Sequence, residues 1–520
     1  MTGPLARRLL ALALIVGIAT DILFRGNAPG VNVLLDVGLL LAAGALVAGP
    51  LRLRRIDPLD AWLAPAALAF AAFVAVRTDP ALVMVDLLGL VIAGGAALVT
   101  LGGRVLLRAD AGRIASSAGE MALATIVGAL PVVGALRPPT AERRLEAVPP
   151  WAGALLRGVL VAAPLLLVFT VLFAAADAVF AATARRVLQL PFRLPVLELL
   201  DRTVVVLVVT WVVAGALVVA AGVRVMKPPP VDPESRGAEP AEGEAAEAPG
   251  AAGANGAGFR IGNLEALVVL VALDLLFAAF VALQVAYLFG GLDTLAASGL
   301  TYADYARRGF FELLAAAALA AAVVAVLDAR VRPRSRAFVV AAVGLVALTG
   351  VTLVSSFLRL RLYQDAYGWT ELRFWVLLSI GWLAAALITL AVLVATGRSR
   401  WLVQALGVLG VVAVLGANLV GPQGYVAARN LERALDPSLV PPGGRAGLDE
   451  DYIATLGDDA VPAMVAALPG LSGTDRLAVR LHLDRRRREL ATDPAFAGWP
   501  AWNLAREQAR AALATLDGAP

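Results

Sequence analysis

The chain of 520 residues contains no cysteine and a single histidine, His482. Without cysteine there is no disulfide, no thiolate metal site and no cysteine nucleophile. One histidine is too few for a histidine-cluster metal site, and its surroundings, LAVRLHLDRRRREL, predict a histidine on a helix surface. The sequence also lacks the phosphate-binding GxxxxGK[ST], zinc-binding HExxH and calcium-binding DxDxDG patterns. We therefore expect neither a metal site nor a cofactor.

Charge is scarce as well. Only 16% of the residues are charged and 60% are hydrophobic, whereas a soluble domain has about 25% charged residues. The net charge is +4, and the cations are arginines apart from Lys227. The arginines lie between apolar runs, as topology signals do, and form no basic stripe that would bind nucleic acid. We expect a lipid bilayer around the protein and no nucleic-acid partner, while any small-molecule or protein partner stays open.

Repeated apolar runs of about 20 residues predict an all-α, polytopic transmembrane helix bundle of about eleven spans. The first run follows Arg7 and Arg8, as in a signal peptide, but no clean cleavage site follows it, so we predict a retained span. The predicted runs are Leu9–Ala19, Val31–Ala48, Ala61–Val76, Ala81–Leu101, Leu155–Phe180, Thr203–Val223, Leu264–Phe289, Phe311–Leu327, Ala337–Phe357, Leu372–Thr396 and Trp401–Val420.

Residues 119–136 are apolar but short, and they contain Pro131. A span here would place the arginines of Arg330–Arg336 outside the cytoplasm, against the positive-inside rule. We therefore interpret this segment as an interfacial or re-entrant helix in a cytoplasmic loop. The same rule predicts a multi-pass membrane protein with a cytoplasmic N-terminus and an extracytoplasmic C-terminal tail.

Composition divides the chain into four parts. Residues 1–227 form an N-terminal membrane half with about six spans. Residues 228–258, rich in proline, alanine, glutamate and glycine, have almost nothing to bury and predict a disordered linker. Residues 259–420 form a second membrane half with about five spans. In residues 421–520, polar sequence with apolar positions at three- and four-residue spacing predicts a small soluble helical domain.

A few ionisable residues fall inside or next to the apolar runs, where each costs at least about 2.5–3.5 kcal/mol on insertion scales. Asp274 lies mid-span, and the nineteen-residue segment Phe357–Trp375 carries the densest polar cluster. On the predicted topology these residues gather in the outer half or the middle of the bilayer, where carboxylates are expected to pair with arginines. The candidate cluster comprises Asp21, Asp36, Asp86, Asp177, Asp274, Arg307, Arg308, Arg359, Arg361, Asp365, Glu371 and Arg373.

Several motifs resemble a family of uncharacterised bacterial membrane proteins, known as domain of unknown function 4173, with a related 4153 type. The resemblance is carried by LRLYQDAYGWTELRFW, DEDYIATLGDDAVPAM, ATDILFRGNAPGVNVLL, PLLLVFTVLFAAADAVF, LTYADYARRGFFELL and the tryptophan-asparagine end. They span most of the chain apart from the linker. The resemblance implies a bacterial multi-pass protein, and it implies no activity and no catalytic residue.

Three functional classes remain open. A non-enzymatic envelope or signalling protein predicts buried charges that are already paired, without a cavity. A proton- or ion-coupled transporter predicts a continuous polar cavity that reaches Asp274. An outward-facing lipid or glycan enzyme using Asp177, Asp365 or Glu371 predicts two carboxylates about 5–10 Å apart in an outward cleft. The first class is our preferred interpretation.

Overall fold

Helices are the only regular elements in the part of the chain that the structure, a computed structural model, describes. The chain divides into two compact units. The first comprises Met1–Val225, Gln364–Trp375 and Gly410–Pro520, and the second comprises Met226–Tyr363 and Val376–Leu409. The described residues are 2–108, 111–136, 195–223, 263–289, 310–331, 333–442, 444–445 and 447–517.

The α-helices are numbered here in chain order through the described residues. They are α1 Gly3–Phe24, α2 Val31–Ala48, α3 Pro50–Leu53, α4 Leu63–Val74, α5 Pro80–Leu101, α6 Ala111–Val127, α7 Leu130–Leu136, α8 Pro195–Ala220, α9 Asn263–Phe289, α10 Phe310–Arg330, α11 Arg336–Tyr367, α12 Glu371–Ala395, α13 Leu402–Val420, α14 Pro422–Leu435, α15 Glu450–Ile453, α16 Val461–Ala467, α17 Gly473–Thr492 and α18 Leu504–Ala514. The all-α prediction is confirmed.

Eight helices in the described residues are long and apolar enough to cross a membrane, so the predicted count of about eleven spans is not confirmed. The predicted span Ala61–Val76 is a shorter helix, α4, of 12 residues. At 1.5 Å per residue it reaches about 18 Å, less than the roughly 30 Å hydrocarbon core. Helix α1, which contains the predicted first run, is not one of the eight. The predicted span Leu155–Phe180 and the linker 228–258 lie outside the described residues.

Residues 119–136 form parts of two short helices and not one continuous helix. Helix α6 ends at Val127 and α7 begins at Leu130, with Gly128 between them at φ 57°, in the left-handed region that favours glycine. A Cβ on Gly128 would lie 2.0 Å from the Trp211 indole nitrogen of α8. The break therefore follows from backbone conformation and close packing. Whether this segment is interfacial or re-entrant stays a prediction.

Small residues allow the apolar helices of the first unit to pack closely. Helix α1 packs along α8, and a Cβ on Gly17 would lie 2.4 Å from the Thr210 hydroxyl oxygen. Leu9 and Leu217 are fully buried at this contact. Close approach of small residues is the usual basis of helix association in membranes, where lipid is as apolar as the side chains.

Helices α14–α18 form a small helical domain with its own apolar core. Leu431, Met464, Leu483 and Leu513 are among its buried side chains. His482, predicted on a helix surface, is only 5% exposed, so that prediction is wrong. A run of arginines begins at Arg485, but the three- and four-residue spacing places His482 on the buried face of α17 with Val479 and Leu483. Burial, reinforced by the nearby Arg485 charge, lowers the pKa of His482.

This domain is joined to the membrane helices through complementary helix ends. The backbone N–H groups of Leu504 and Ala505, at the start of α18, donate to the carbonyls of Ala75 and Val76, just after α4, at 2.9 and 3.1 Å. Asn503 caps α18 with its side-chain oxygen and donates from Nδ2 to the carbonyls of Val74 and Arg77, both at 2.9 Å. Unpaired donors of one helix thus satisfy unpaired acceptors of another.

The second unit has a separate apolar core, formed by parts of α9, α10, α11 and α12. Leu270, Val324, Phe338 and Leu345 are fully buried in it. An open apolar groove of about 880 Å³ lies between α11 and α12. Gly350 and Gly381 are among its lining residues, and their missing side chains leave space there.

Gly30 offers a direct test of the contact between the domain and the membrane helices. A Cβ there would lie 2.4 Å from the Trp502 carbonyl oxygen, which cannot move without its backbone. We expect Gly30→Ala to destabilise the docked domain by roughly 1–3 kcal/mol. Hydrogen exchange of the Val31 amide, which donates to Trp502 at 2.9 Å, measures the change.

Gly38→Ala is the matched control, because Gly38 lies within α2 and a Cβ there meets nothing within 4 Å. Equal exchange in the two variants would contradict the proposed steric effect.

Candidate functional site

Four carboxylates of the first unit interact where the helical domain meets the membrane helices. They are Asp79, Asp86, Glu371 and Asp459, here called the carboxylate junction. Asp79 caps the start of α5, Glu371 is the first residue of α12, and Asp459 lies in a 3₁₀ turn before α16. Helix N-termini carry partial positive charge, which favours carboxylates at Asp79 and Glu371.

Asp459 fastens the helical domain to the loop before α5. Its carboxylate is almost completely buried, with 2% of the side chain exposed. It accepts from the Arg77 guanidinium at 3.1 Å and from the Thr78 amide and hydroxyl at 2.8 and 2.9 Å. Arg77 also donates to the Asn418 and Leu419 carbonyls at the end of α13. These bonds compensate the burial of the charge pair.

Asp79 and Asp86 each have one hydrogen-bonded oxygen and one buried oxygen without a partner. In Asp79, Oδ1 accepts from the Ala81 and Leu82 amides, and Oδ2 has no hydrogen bond. In Asp86, Oδ1 accepts from Asn418 at 2.6 Å, and Oδ2 has no hydrogen bond. The exposed fractions of these residues are 1% and 0%. A buried acceptor without a donor is unfavourable, and protonation would turn it into a donor.

Glu371 shows the same asymmetry. Its side chain is hydrogen-bonded to Gln423, while its buried Oε1 has no partner. Its backbone amide donates to the Tyr452 hydroxyl of the helical domain at 2.7 Å. Burial, with the nearby charges of Glu371 and Asp79, raises the pKa of Tyr452 to about 12, so the phenol is neutral at ordinary pH.

Asp79, at the start of α5, is a member of the junction whose pKa is well above that of an ordinary aspartate. Burial, then the negative charges of Glu371 and Asp459, raise its pKa to about 6, although the Ala81 and Leu82 amides act in the opposite direction. An aspartate pKa above its usual value means that folding favours the protonated form. The junction is therefore more stable in acid, and this contribution is lost as pH rises through about 6.

The predicted outer carboxylates have different partners from those expected. Asp21 pairs with Arg25, one turn along α1, at 2.5 Å. Asp36 accepts a hydrogen bond from Thr20 at 2.7 Å. With Asp86 bonded to Asn418, these partners lie on the same or a neighbouring helix of the first unit. Thr20 and Asn418 thus bond Asp36 and one oxygen of Asp86, and Arg25 pairs with Asp21, where the sequence suggested more distant arginines.

The arginines and remaining carboxylates of the predicted cluster are distributed over both units. Arg373 donates to the Tyr367 and Gly368 carbonyls at the end of α11. The negative charge of Asp365 attracts the Arg433 guanidinium. Arg359 and Arg361 are half-buried in the part of α11 that belongs to the second unit. Asp177, Arg307 and Arg308 lie outside the described residues.

Asp274 lies on α9 in the second unit and is half-buried. Both of its carboxylate oxygens would lie 3.7 Å from a Cβ added to Gly344 of α11, and Oδ1 has no hydrogen bond. A pocket of about 320 Å³ opens near the same part of α9, and its lining is apolar apart from Thr352.

Sequence reasoning missed Asp79, Asp459 and Asn503. Asp79 carries a detectable signal, because an aspartate followed by Pro80 before an apolar run is a typical helix start. Asn503 likewise precedes a helical pattern as a cap. No sequence pattern predicts the contact between Asp459 and Arg77, since 382 residues separate them.

Among the described residues, no group of three or more histidine, cysteine, aspartate or glutamate side chains is placed to hold a metal ion. The carboxylate junction can instead bind and release protons. Its charge-assisted hydrogen bonds also hold the helical domain.

Comparison with known proteins gives one family match. The model of a family described as Domain of unknown function (DUF4153) matches residues 63–467. The match covers α4 to α16 and thus includes all four residues of the carboxylate junction. The related 4153 type is the one found, and the 4173 type named from the sequence is not shown. No curated protein and no solved structure matches the chain.

Arg77→Gln tests the connection between Arg77 and Asp459. The change leaves a nearly buried carboxylate without its cation, which is expected to cost about 3–5 kcal/mol. We expect faster hydrogen exchange at the start of α18 and easier denaturation of the helical domain. Arg480→Gln is the control, because Arg480 pairs with Asp484 at 3.4 Å on the exposed face of α17, where such a pair contributes about 0–1 kcal/mol. Similar destabilisation in both variants would contradict the assignment.

Asp79→Asn tests the titration, because the amide keeps the shape of the carboxyl group and carries no titrating proton. The unfolding free energy of the wild type should fall by about 2 kcal/mol between pH 4 and 7 through this group. When denaturation is measured across the same pH range, the unfolding free energy of the variant should lack this fall.

Asp436→Asn is the control, because Asp436 is exposed and its hydrogen bonds to Ser438 lower its pKa, which places its titration below this range. A slope that survives in Asp79→Asn would assign the pH dependence to another group.

Proposed function

The chain belongs to the family with the domain of unknown function DUF4153, and on that premise we propose a non-enzymatic envelope or signalling protein of the bacterial plasma membrane. Its apolar helices make it an integral membrane protein. The observation that supports the proposal best is the buried polar connection between the helical domain and the membrane helices. Arg77, Asp459 and Asn503 form this connection.

The distribution of charge supports an extracytoplasmic position for the helical domain. Helices α2 and α5 both begin beside the contacts with that domain. Both helices end at loops rich in arginine, with Arg52, Arg54 and Arg55 after α2 and Arg104 and Arg108 after α5. Because arginine concentrates on the cytoplasmic side, the opposite end of these helices faces outward. The N-terminus of α1 then lies in the cytoplasm.

The carboxylate junction suggests what such a protein senses. Protonation of Asp79 removes one negative charge beside Glu371 and Asp459, so acidification tightens the contact of the helical domain. A domain whose attachment depends on external pH is suited to signalling across the envelope.

Burial of the carboxylates favours this function over the two alternatives. An enzyme acting through Glu371 needs a substrate to reach it, yet Tyr452 and Gln423 of the helical domain contact this residue. A carrier that uses Asp274 needs a polar route, whereas the pocket beside α9 has a mainly apolar lining. The pairing of buried charges expected of this function is found at Asp459, whereas Asp79, Asp86 and Glu371 each keep one buried oxygen without a partner.

Labelling in intact cells tests the orientation, and the absence of native cysteine makes single-cysteine variants straightforward. We expect a membrane-impermeant maleimide to label Arg480→Cys in the helical domain. Arg54→Cys, an exposed position after α2, is the matched control and should react only after the membrane is opened. Labelling of position 54 but not 480 in intact cells would overturn the proposed orientation.

A further inference from the structure

Two tryptophans of the helical domain are unusually exposed. Trp499 is 67% exposed and Trp502 is 46% exposed. Trp499 begins a short 3₁₀ turn, Trp499–Ala501, and Trp502 follows it, just before α18. Large aromatic side chains contribute much of their stabilisation through burial, so an exposed pair marks a surface that another phase or molecule covers.

The position of this turn indicates what covers it. The Trp502 carbonyl accepts from the amide of Val31, the first residue of α2, and the Ala495 carbonyl accepts from the Ala28 amide, both at 2.9 Å. Helix α2 is one of the candidate membrane spans, and its first residue is Val31. The two tryptophans therefore lie close to the level at which the chain enters the hydrocarbon.

Exposed apolar side chains continue from this level into the membrane helices. Leu35, one turn into α2, is 43% exposed, and Ile22, in the last turn of α1, is 65% exposed. Such side chains are stable when they contact lipid and unfavourable when they contact water. Near the contact of α2 with the Trp502 carbonyl, the membrane helices thus carry side chains suited to acyl chains.

The backbone that carries the tryptophans is firmly held. The buried Arg506 donates to the Ala501 carbonyl at 2.5 Å and to the Pro29 carbonyl at 2.9 Å, and its guanidinium lies 4.8 Å from the centre of the Phe496 ring. Side chains on a fixed turn lose little further backbone freedom when they bind, which favours their use as anchors.

We propose that Trp499 and Trp502 insert into the headgroup region of the leaflet that α2 enters, so that a phospholipid surface is the binding partner of this face. Indole rings favour this region because the apolar body contacts the upper acyl chains while the N–H donates to headgroup oxygens. The helical domain is then held by the membrane helices on one side and by lipid at its rim. This inference requires only that the protein is integral to a membrane, and it is independent of the orientation proposed above.

A spin label next to the two tryptophans tests the proposal in the full-length protein. Ala497 is exposed and precedes the turn, so Ala497→Cys carries the label with both tryptophans intact. Arg480→Cys, on the exposed face of α17, is the aqueous reference. Both proteins are placed in nanodiscs of phosphatidylcholine and phosphatidylglycerol. Collision rates with oxygen, which enters lipid, and with a nickel chelate, which stays in water, are then measured.

We expect a higher ratio of oxygen to nickel collisions at position 497 than at position 480. The double change Trp499→Ser and Trp502→Ser should remove that difference while the denaturation profile of the helical domain is retained. Equal ratios at 497 and 480 with the tryptophans present would overturn the proposal. Low collision rates with both reagents at 497 would also overturn it, because they would indicate a protein surface, such as a second copy of the chain, in place of lipid.

Discussion

The mutual satisfaction of two helix ends is the interaction on which the first unit depends. Helix α4 ends after 12 residues with carbonyl groups that have no partner within the helix, and α18 begins with amide groups in the same condition. The Leu504 and Ala505 amides donate directly to the carbonyls that follow α4. The Asn503 side chain accepts from the Ala505 amide and donates to the Arg77 carbonyl, so it bonds to both helix ends. A short apolar helix beside a bilayer would otherwise leave polar backbone unpaired where water is scarce.

The carboxylate junction is a consequence of this docking. Once the helical domain covers the starts of α5 and α12, Asp79 is buried, Glu371 is half-buried, and Asp459 is brought against Arg77. Asp459 is fully compensated by donors, whereas Asp79 keeps an oxygen without a partner. The difference separates their roles, because Asp459 acts as a fixed connection and Asp79 responds to pH.

The exposed tryptophans complete the description of this domain as a membrane-associated part of the protein. Its inner contacts are polar and specific, as between Arg77 and Asp459, while its rim carries Trp499 and Trp502. A domain of this size has a limited core of its own, so contacts with the membrane helices supply stability that the core alone does not. Docking and anchoring therefore act on the same small domain from different sides.

The sequence by itself determined the helical class, most of the long apolar helices and the presence of a C-terminal helical domain, because apolar period and run length are local properties. Only the tertiary structure decided that α4 has 12 residues, that His482 is buried and that Asp459 meets Arg77. The contact of Arg77 with Asp459 joins segments 382 residues apart, for which a single sequence carries no local signal. The burial of His482 depends on which face of α17 packs against α16 and α18.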